Sequence, residues 1–162
     1  MSYDGRYRTK GRRGASLVRD GGARVELVRD GPAPKGVILK EPGDAGRYFA
    51  SVLTDPLREV FVVGGLNVKH RLVDWAVVSI GCLTSSLVHP REVFTLLLGM
   101  GGVAGFLCAH NHPSGDPEPS AEDVALTRRL AAAGMLMGIE LLDHVVIGGE
   151  GRYVSLKNRG VL

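Results

Sequence analysis

The stretch GFLCAHNHPSGDPEPSAEDVALTRRL, residues 105–130, sets the reading of the whole chain. It opens on a short apolar run, Gly105–Ala109, of the length and composition of a buried strand. His110 and His112 follow two residues apart, and side chains at i and i+2 of an extended segment share a face. The segment Pro113–Pro119 holds three prolines in seven residues, which limits its freedom and so the entropy cost of ordering it. Ser120 then begins a helix expected to run to about Leu136, with Asp123 in its first turn. Two imidazoles and a carboxylate delivered to one place are ligands for a tetrahedral zinc ion with an open fourth position. Such an ion makes hydroxide available near neutral pH, and a carboxylate outside its ligand set would serve as general base. Glu59, acidic where the apolar strand EVFVV would accept another valine, is the candidate.

Outward from this stretch, the order of elements is mixed. β-leaning runs at Val25–Val28 and Val37–Leu39 flank turn signals at Gly31-Pro32 and Pro34. A helix is expected over 45–54 with Asp44 as its N-cap, after a break at Glu41-Pro42-Gly43 and before a stop at Asp55-Pro56. Glu59–Val63 and Arg71–Ile80 read as a hairpin, with Gly64-Gly65 and Asn67 as its turn. Pro90 opens a helix to Leu98 behind His89, and Ile139–Ile147 and Tyr153–Leu156 are late strands. The fold class is therefore α/β with a mixed central sheet and flanking helices, since the hairpin argues against a purely parallel sheet.

At 162 residues, the chain is expected to hold one domain, residues 36–162, behind a basic and flexible arm, residues 1–35. The arm carries nine Lys/Arg against four Asp/Glu, whereas the remainder carries eleven against thirteen. The arm is thus the candidate contact for nucleic acid, although Tyr3 and Tyr7 are too few to argue for base stacking. Two cysteines, Cys82 and Cys108, make neither a disulfide framework nor a zinc ribbon. The longest uncharged run, Val93–Ala109, has 17 residues with four glycines and falls short of a membrane helix. With no secretory signal in the first 15 residues, a cytoplasmic protein without membrane contact is expected.

The segments GCLTSSLVHPREVF (81–94), AHNHPSGDPEPSAEDVALTRRL (109–130) and GIELLDHVVIG (138–148), with EVF at 59–61, resemble the RadC family of JAB/MPN proteins, whose Glu…His-x-His…Ser-x-x-Asp arrangement is the JAMM motif. That resemblance spans roughly residues 40–160. It implies a cytidine-deaminase-like (JAB/MPN) fold and Zn2+ held by His110, His112 and Asp123. It also implies Glu59 as the acid/base acting on the metal-activated water, Ser120 as the donor to the oxyanion, and hydrolysis of a peptide or isopeptide bond in a protein or peptide substrate. Relatives usually carry an amino-terminal helix-hairpin-helix domain, where this sequence has its basic arm. Family members also tend to have a Leu-Asp pair where Gly64-Gly65 stand here.

Other readings compete. Ser120-x-x-Asp123 is also the pattern of a structural helix cap, and a cap and a ligand are compatible roles. Asp116 is the substitute should Asp123 not be a ligand; Glu118 and Glu122 read as solvated charges. His144, beside Asp143 in an apolar strand, reads as a hydrogen-bonded structural histidine before it reads as a ligand. Cys108 shares the histidines' face, and Asn111 and Ser114 are placed to orient the ligand loop. A nucleobase deaminase needs H-x-E and P-C-x-x-C, which are absent. The letters HNH are adjacent here, unlike the dispersed set of HNH nucleases. The remaining alternatives are a non-catalytic scaffold and a RadC-like, DNA-repair-linked binding protein whose arm contacts phosphates.

Overall fold

The computed structural model describes residues 15–20 and 24–29 as backbone, and residues 36–81 and 88–162 with their side chains. The described residues form β1 (Ala15–Asp20), β2 (Arg24–Arg29), α1 (Pro42–Ala50), β3 (Glu59–Leu66), β4 (Leu72–Gly81), α2 (Pro90–Met100), β5 (Gly105–Asn111), α3 (Ala121–Met137), β6 (Glu140–Ile147) and β7 (Tyr153–Ser155). A short 3-10 turn, Gly149–Gly151, sits between β6 and β7. The strands make one sheet in the order β2-β1-β4-β3-β5-β6-β7. It is mixed, as the sequence requires: β3 runs antiparallel to β4 and β5, whereas β5 and β6 are parallel. The antiparallel pair β1–β2 lies within the amino-terminal basic segment and reaches the sheet through Ala15↔Ala76 and Ser16↔Val77. Residues 1–14, 21–23, 30–35 and 82–87, with the arm tyrosines, the Gly31-Pro32 turn and Cys82, lie outside the described residues.

Apolar cores cover both faces. On one, Ala45, Phe49, Val52 and Leu53 of α1 and the residues just after it pack on Val60, Val62, Trp75, Leu107 and Val145. On the other, Val93, Leu96, Leu97 and Met100 of α2 and Leu130 of α3 pack on Phe61, Val63, Phe106 and Cys108. Alternate strand residues feed the two faces, so β3 and β5 are buried throughout their centres and read as nearly continuous apolar runs. Among the described residues, no helix is long and apolar enough to cross a membrane.

Three details differ from the sequence reading, each for a local reason. Helix α1 begins at Pro42, not after Asp44. Proline at the first helical position lacks a backbone N–H that would be orphaned anyway, and Asp44 lies one turn in, where its Oδ2 accepts the backbone N–H of Lys40 and Glu41. Gly64 and Gly65 are not a turn but continue β3, and the chain reverses at Asn67–His70, with His70 at a left-handed φ of 55°. Their lack of side chains is a packing requirement. A Cβ on Gly65 would lie 2.6 Å from Val103 Cγ2, and one on Gly64 would lie 3.1 Å from Phe49 Cζ. The run at Val37–Leu39 contributes only an isolated bridge, Ile38↔Arg71. His89, by contrast, caps α2 as its position suggests, accepting the Arg91 N–H at 3.1 Å through Nδ1.

Gly134 in α3 reverses an ordinary rule. Alanine in a helix interior normally gains up to about 1 kcal/mol over glycine. Here a Cβ would meet the backbone oxygen of Ile139 at 2.5 Å, and that oxygen belongs to the turn feeding β6. Gly134→Ala is expected to destabilise the protein by about 1–3 kcal/mol, the usual cost of forced overpacking, measured by urea unfolding.

Candidate metal centre

His110 is the penultimate residue of β5, which is buried along its whole length, and has no exposed surface. His112 lies one residue past the strand, tied to the sheet by its N–H to the Ile147 carbonyl at 2.9 Å. The proline loop between 113 and 119 is docked on the β6–β7 connection. Gly149 N–H donates to Gly115 O at 2.8 Å, Arg152 donates to the same oxygen at 3.0 Å, and Arg159 pairs with Glu118 at 2.6 Å. The loop delivers Ser120 as the N-cap of α3. Its hydroxyl accepts the Asp123 N–H at 3.1 Å, and Asp123 Oδ2 accepts the Ser120 N–H at 2.7 Å, so the cap fixes Asp123.

The three predicted ligands converge. His110 Nε2 lies 3.0 Å from His112 Nε2 and 3.2 Å from Asp123 Oδ1, and His112 Nε2 lies 3.5 Å from Asp123 Oδ2. Metal bonds of about 2.0–2.1 Å in a tetrahedron separate ligand atoms by roughly 3.3 Å, which is the spacing present. Among the described residues this is the group of His, Cys, Asp and Glu side chains able to hold an ion. Its chemistry also asks for a cation. His112 Nδ1 faces the Asp116 carbonyl at 2.8 Å and must donate to it, so in the neutral ring Nε2 presents a lone pair toward Asp123. The Asp123 hydrogen bond raises the His112 pKa, against the effect of burial. Burial works to raise the Asp123 carboxyl, but its close contacts with His110 and His112 outweigh it and hold that carboxyl far below the usual range. A proton or a metal ion between these groups satisfies the same demand.

Glu59 reaches this place through the sheet. Phe61 pairs with His110 across β3–β5 and stacks on its imidazole, with ring centroids 5.9 Å apart at 13°. Glu59, two residues earlier on the same face, is half-buried and lies close enough to His112 for their charges to interact. Its negative charge contributes to the raised His112 pKa. The Ser120 hydroxyl, on an exposed residue, donates to Asp123 Oδ2 at 2.7 Å in this arrangement. Asp116 contributes its backbone oxygen to His112, while its carboxylate accepts the Glu118 N–H at 3.1 Å and stands outside the cluster. Cys108 is fully buried in the α2/α3-side core, where burial pushes its thiol pKa up.

Sequence reasoning underrated two residues and missed a third. Asn111, between the two histidines, holds the segment before Glu59 and not the ligand loop. Its Oδ1 accepts the Val60 N–H at 2.8 Å, and its Nδ2 donates to the carbonyls of Asp55 and Arg58, both at 2.9 Å. Asn111→Ala is expected to leave metal binding intact while costing about 2–4 kcal/mol, because a buried N–H and two carbonyls lose their partner. Hydrogen exchange at the Val60 amide, accelerated in the variant, reports the loosened strand. His144 is fully buried and lies 2.9 Å from His110 Nδ1 through its Nε2. Thr127, which no motif marks, lies 2.6 Å from His144 Nδ1 through its Oγ1. The only sequence signal for this pair was Asp143-His144, two polar residues inside an apolar strand.

A mixed sheet flanked by helices, carrying two histidines and an aspartate at metal-ligand spacing, defines the class: an α/β domain with a candidate metal centre at the end of its central strands. The family model described as the RadC-like JAB domain matches residues 39–161, and the chain belongs to this family. It is 46% identical over 125 residues to the UPF0758 protein YsxA of Bacillus subtilis, covering 77% of this chain and 53% of that protein. It is 42% identical over 139 residues to the UPF0758 protein lmo1549 of Listeria monocytogenes, covering 86% and 60%. The chain thus spans little more than half the length of these relatives.

Proposed function

We propose that this domain is a zinc-dependent hydrolase of JAMM type that cleaves a peptide or isopeptide bond. The observation that carries the reading is the convergence of His110 Nε2, His112 Nε2 and an Asp123 carboxylate oxygen within 4.8 Å of one another, beside the strand that carries Glu59. A zinc ion held there would lower the pKa of a coordinated water to about 7 and polarise a substrate carbonyl. The chain's own residues supply the rest. Glu59 takes the proton of the attacking water and returns it to the leaving amine, a role open to a carboxylate outside the ligand set. Ser120, exposed at the start of α3, turns its O–H from Asp123 toward the oxyanion that forms on the substrate, where the positive end of the helix dipole assists. The buried side of the site, with Phe61 against His110, keeps water from behind the ligands.

The test is hydrolysis of a panel of peptide and isopeptide-linked substrates by the full chain with zinc added. The reading expects cleavage that a chelator abolishes and zinc restores. Zinc-loaded protein that turns over none of the panel would argue for a metal-binding scaffold instead.

A further inference from the structure

The hydrogen-bond chain behind His110 has a direction that can be read from its end. Thr127 Oγ1 lies 2.6 Å from the backbone oxygen of Asp123 and donates its one proton to it, since a carbonyl only accepts. The proton between Thr127 Oγ1 and His144 Nδ1, 2.6 Å apart, must then belong to His144. A neutral imidazole with its hydrogen on Nδ1 offers a lone pair at Nε2, and His110 Nδ1, 2.9 Å away, must donate to it. His110 in turn is left with a bare Nε2, the atom that faces His112 and Asp123. All three residues are fully buried, so water does not compete for these bonds.

We propose that Thr127 and His144 are positioning residues that fix the tautomer of His110, so that its Nε2 is ready to bind a metal ion before the ion arrives. The chain starts and finishes on the same residue: the Asp123 backbone oxygen anchors Thr127, and the Asp123 carboxylate faces His110 Nε2. Helix α3 therefore sets both the third ligand and the protonation pattern of the first. A metal-ligating histidine usually donates its second N–H to a carboxylate, carbonyl or water. Here the acceptor is a second imidazole, which acts only while it holds its own proton on the far nitrogen. Reversal of one bond reverses them all: a Thr127 hydroxyl turned to His144 Nδ1 would move the His144 proton to Nε2, and that of His110 to the ligating atom.

This inference rests on the metal-site reading, and its test separates the two. Imidazole 15N spectra of the metal-free chain report which nitrogen of each ring carries hydrogen, whether or not any ion binds. The expected pattern is Nδ1–H for both His144 and His110. In Thr127→Val, which keeps the side-chain shape, both rings are expected to change to Nε2–H, and zinc affinity, measured by chelator competition, to fall about 10–100-fold. Thr127→Ser is expected to restore both the spectrum and the affinity. An Nε2–H pattern for His144 in the unsubstituted protein would overturn the proposal, as would Thr127→Val binding zinc as tightly as its parent. If the unsubstituted protein shows the expected tautomers but takes up no zinc, the metal reading fails and the relay stands.

Discussion

Glu59→Gln is expected to retain zinc in full and to lose turnover by about 10²–10⁴-fold, the range a positioned general acid/base contributes. The separation of the two effects follows from geometry. Glu59 lies two residues before Phe61, which pairs with His110, while the three atoms that converge belong to His110, His112 and Asp123. Glutamine keeps the size and the half-buried position but cannot take a proton. Because Phe61 and Val60 hold the strand through the His110 stack and the Asn111 clamp, the variant has no reason to move β3. Elemental analysis and a hydrolysis assay on one preparation check both halves. Metal loss in Glu59→Gln would instead make Glu59 a ligand and reassign its role.

Asp123→Ala is expected to be the more damaging substitution, because it removes a proposed ligand and a helix cap together. Its Oδ2 accepts both the Ser120 N–H and the Ser120 hydroxyl, each at 2.7 Å, and its Oδ1 faces His110. Loss of the cap costs about 0.5–2 kcal/mol, without regard to metal. Loss of the ligand removes the stabilisation that an ion binding only to the folded state provides, which grows with ion concentration. Asp123→Asn separates the two. Its amide oxygen still accepts from Ser120 N–H but carries no charge for an ion. Melting measured with and without zinc should show Asp123→Asn close to the unsubstituted protein in chelator, with little zinc-dependent rise. Asp123→Ala should lie lower in both.

The candidate metal ligands were legible because they are local. A strand, a stiff loop and a helix start bring 110, 112 and 123 together with little help from the rest of the fold, and each leaves a mark in the sequence. Glu59 was legible only as an odd acid in an apolar strand. Nothing in residues 59–63 says that β3 lies beside β5, and that adjacency came from family resemblance before the sheet order bore it out. The relay was not legible at all. It joins α3 to β6 and β5 through Thr127, an unremarkable residue on a helix, so its meaning exists only in the tertiary contact. The glycine pair at 64–65 misled for a related reason: glycine marks turns when read locally, but here it admits Phe49 from one side of the sheet and Val103 and Met100 from the other. Asn111 was read as serving its sequence neighbours, whereas its three bonds run to the segment around Arg58.

Metal content shows whether His110, His112 and Asp123 hold one metal ion. Untagged protein, purified without chelator and analysed beside His112→Ala, is expected to contain about one zinc per chain in the unsubstituted form and close to none in the variant. Unsubstituted protein that is free of metal and takes up no added zinc would contradict the account.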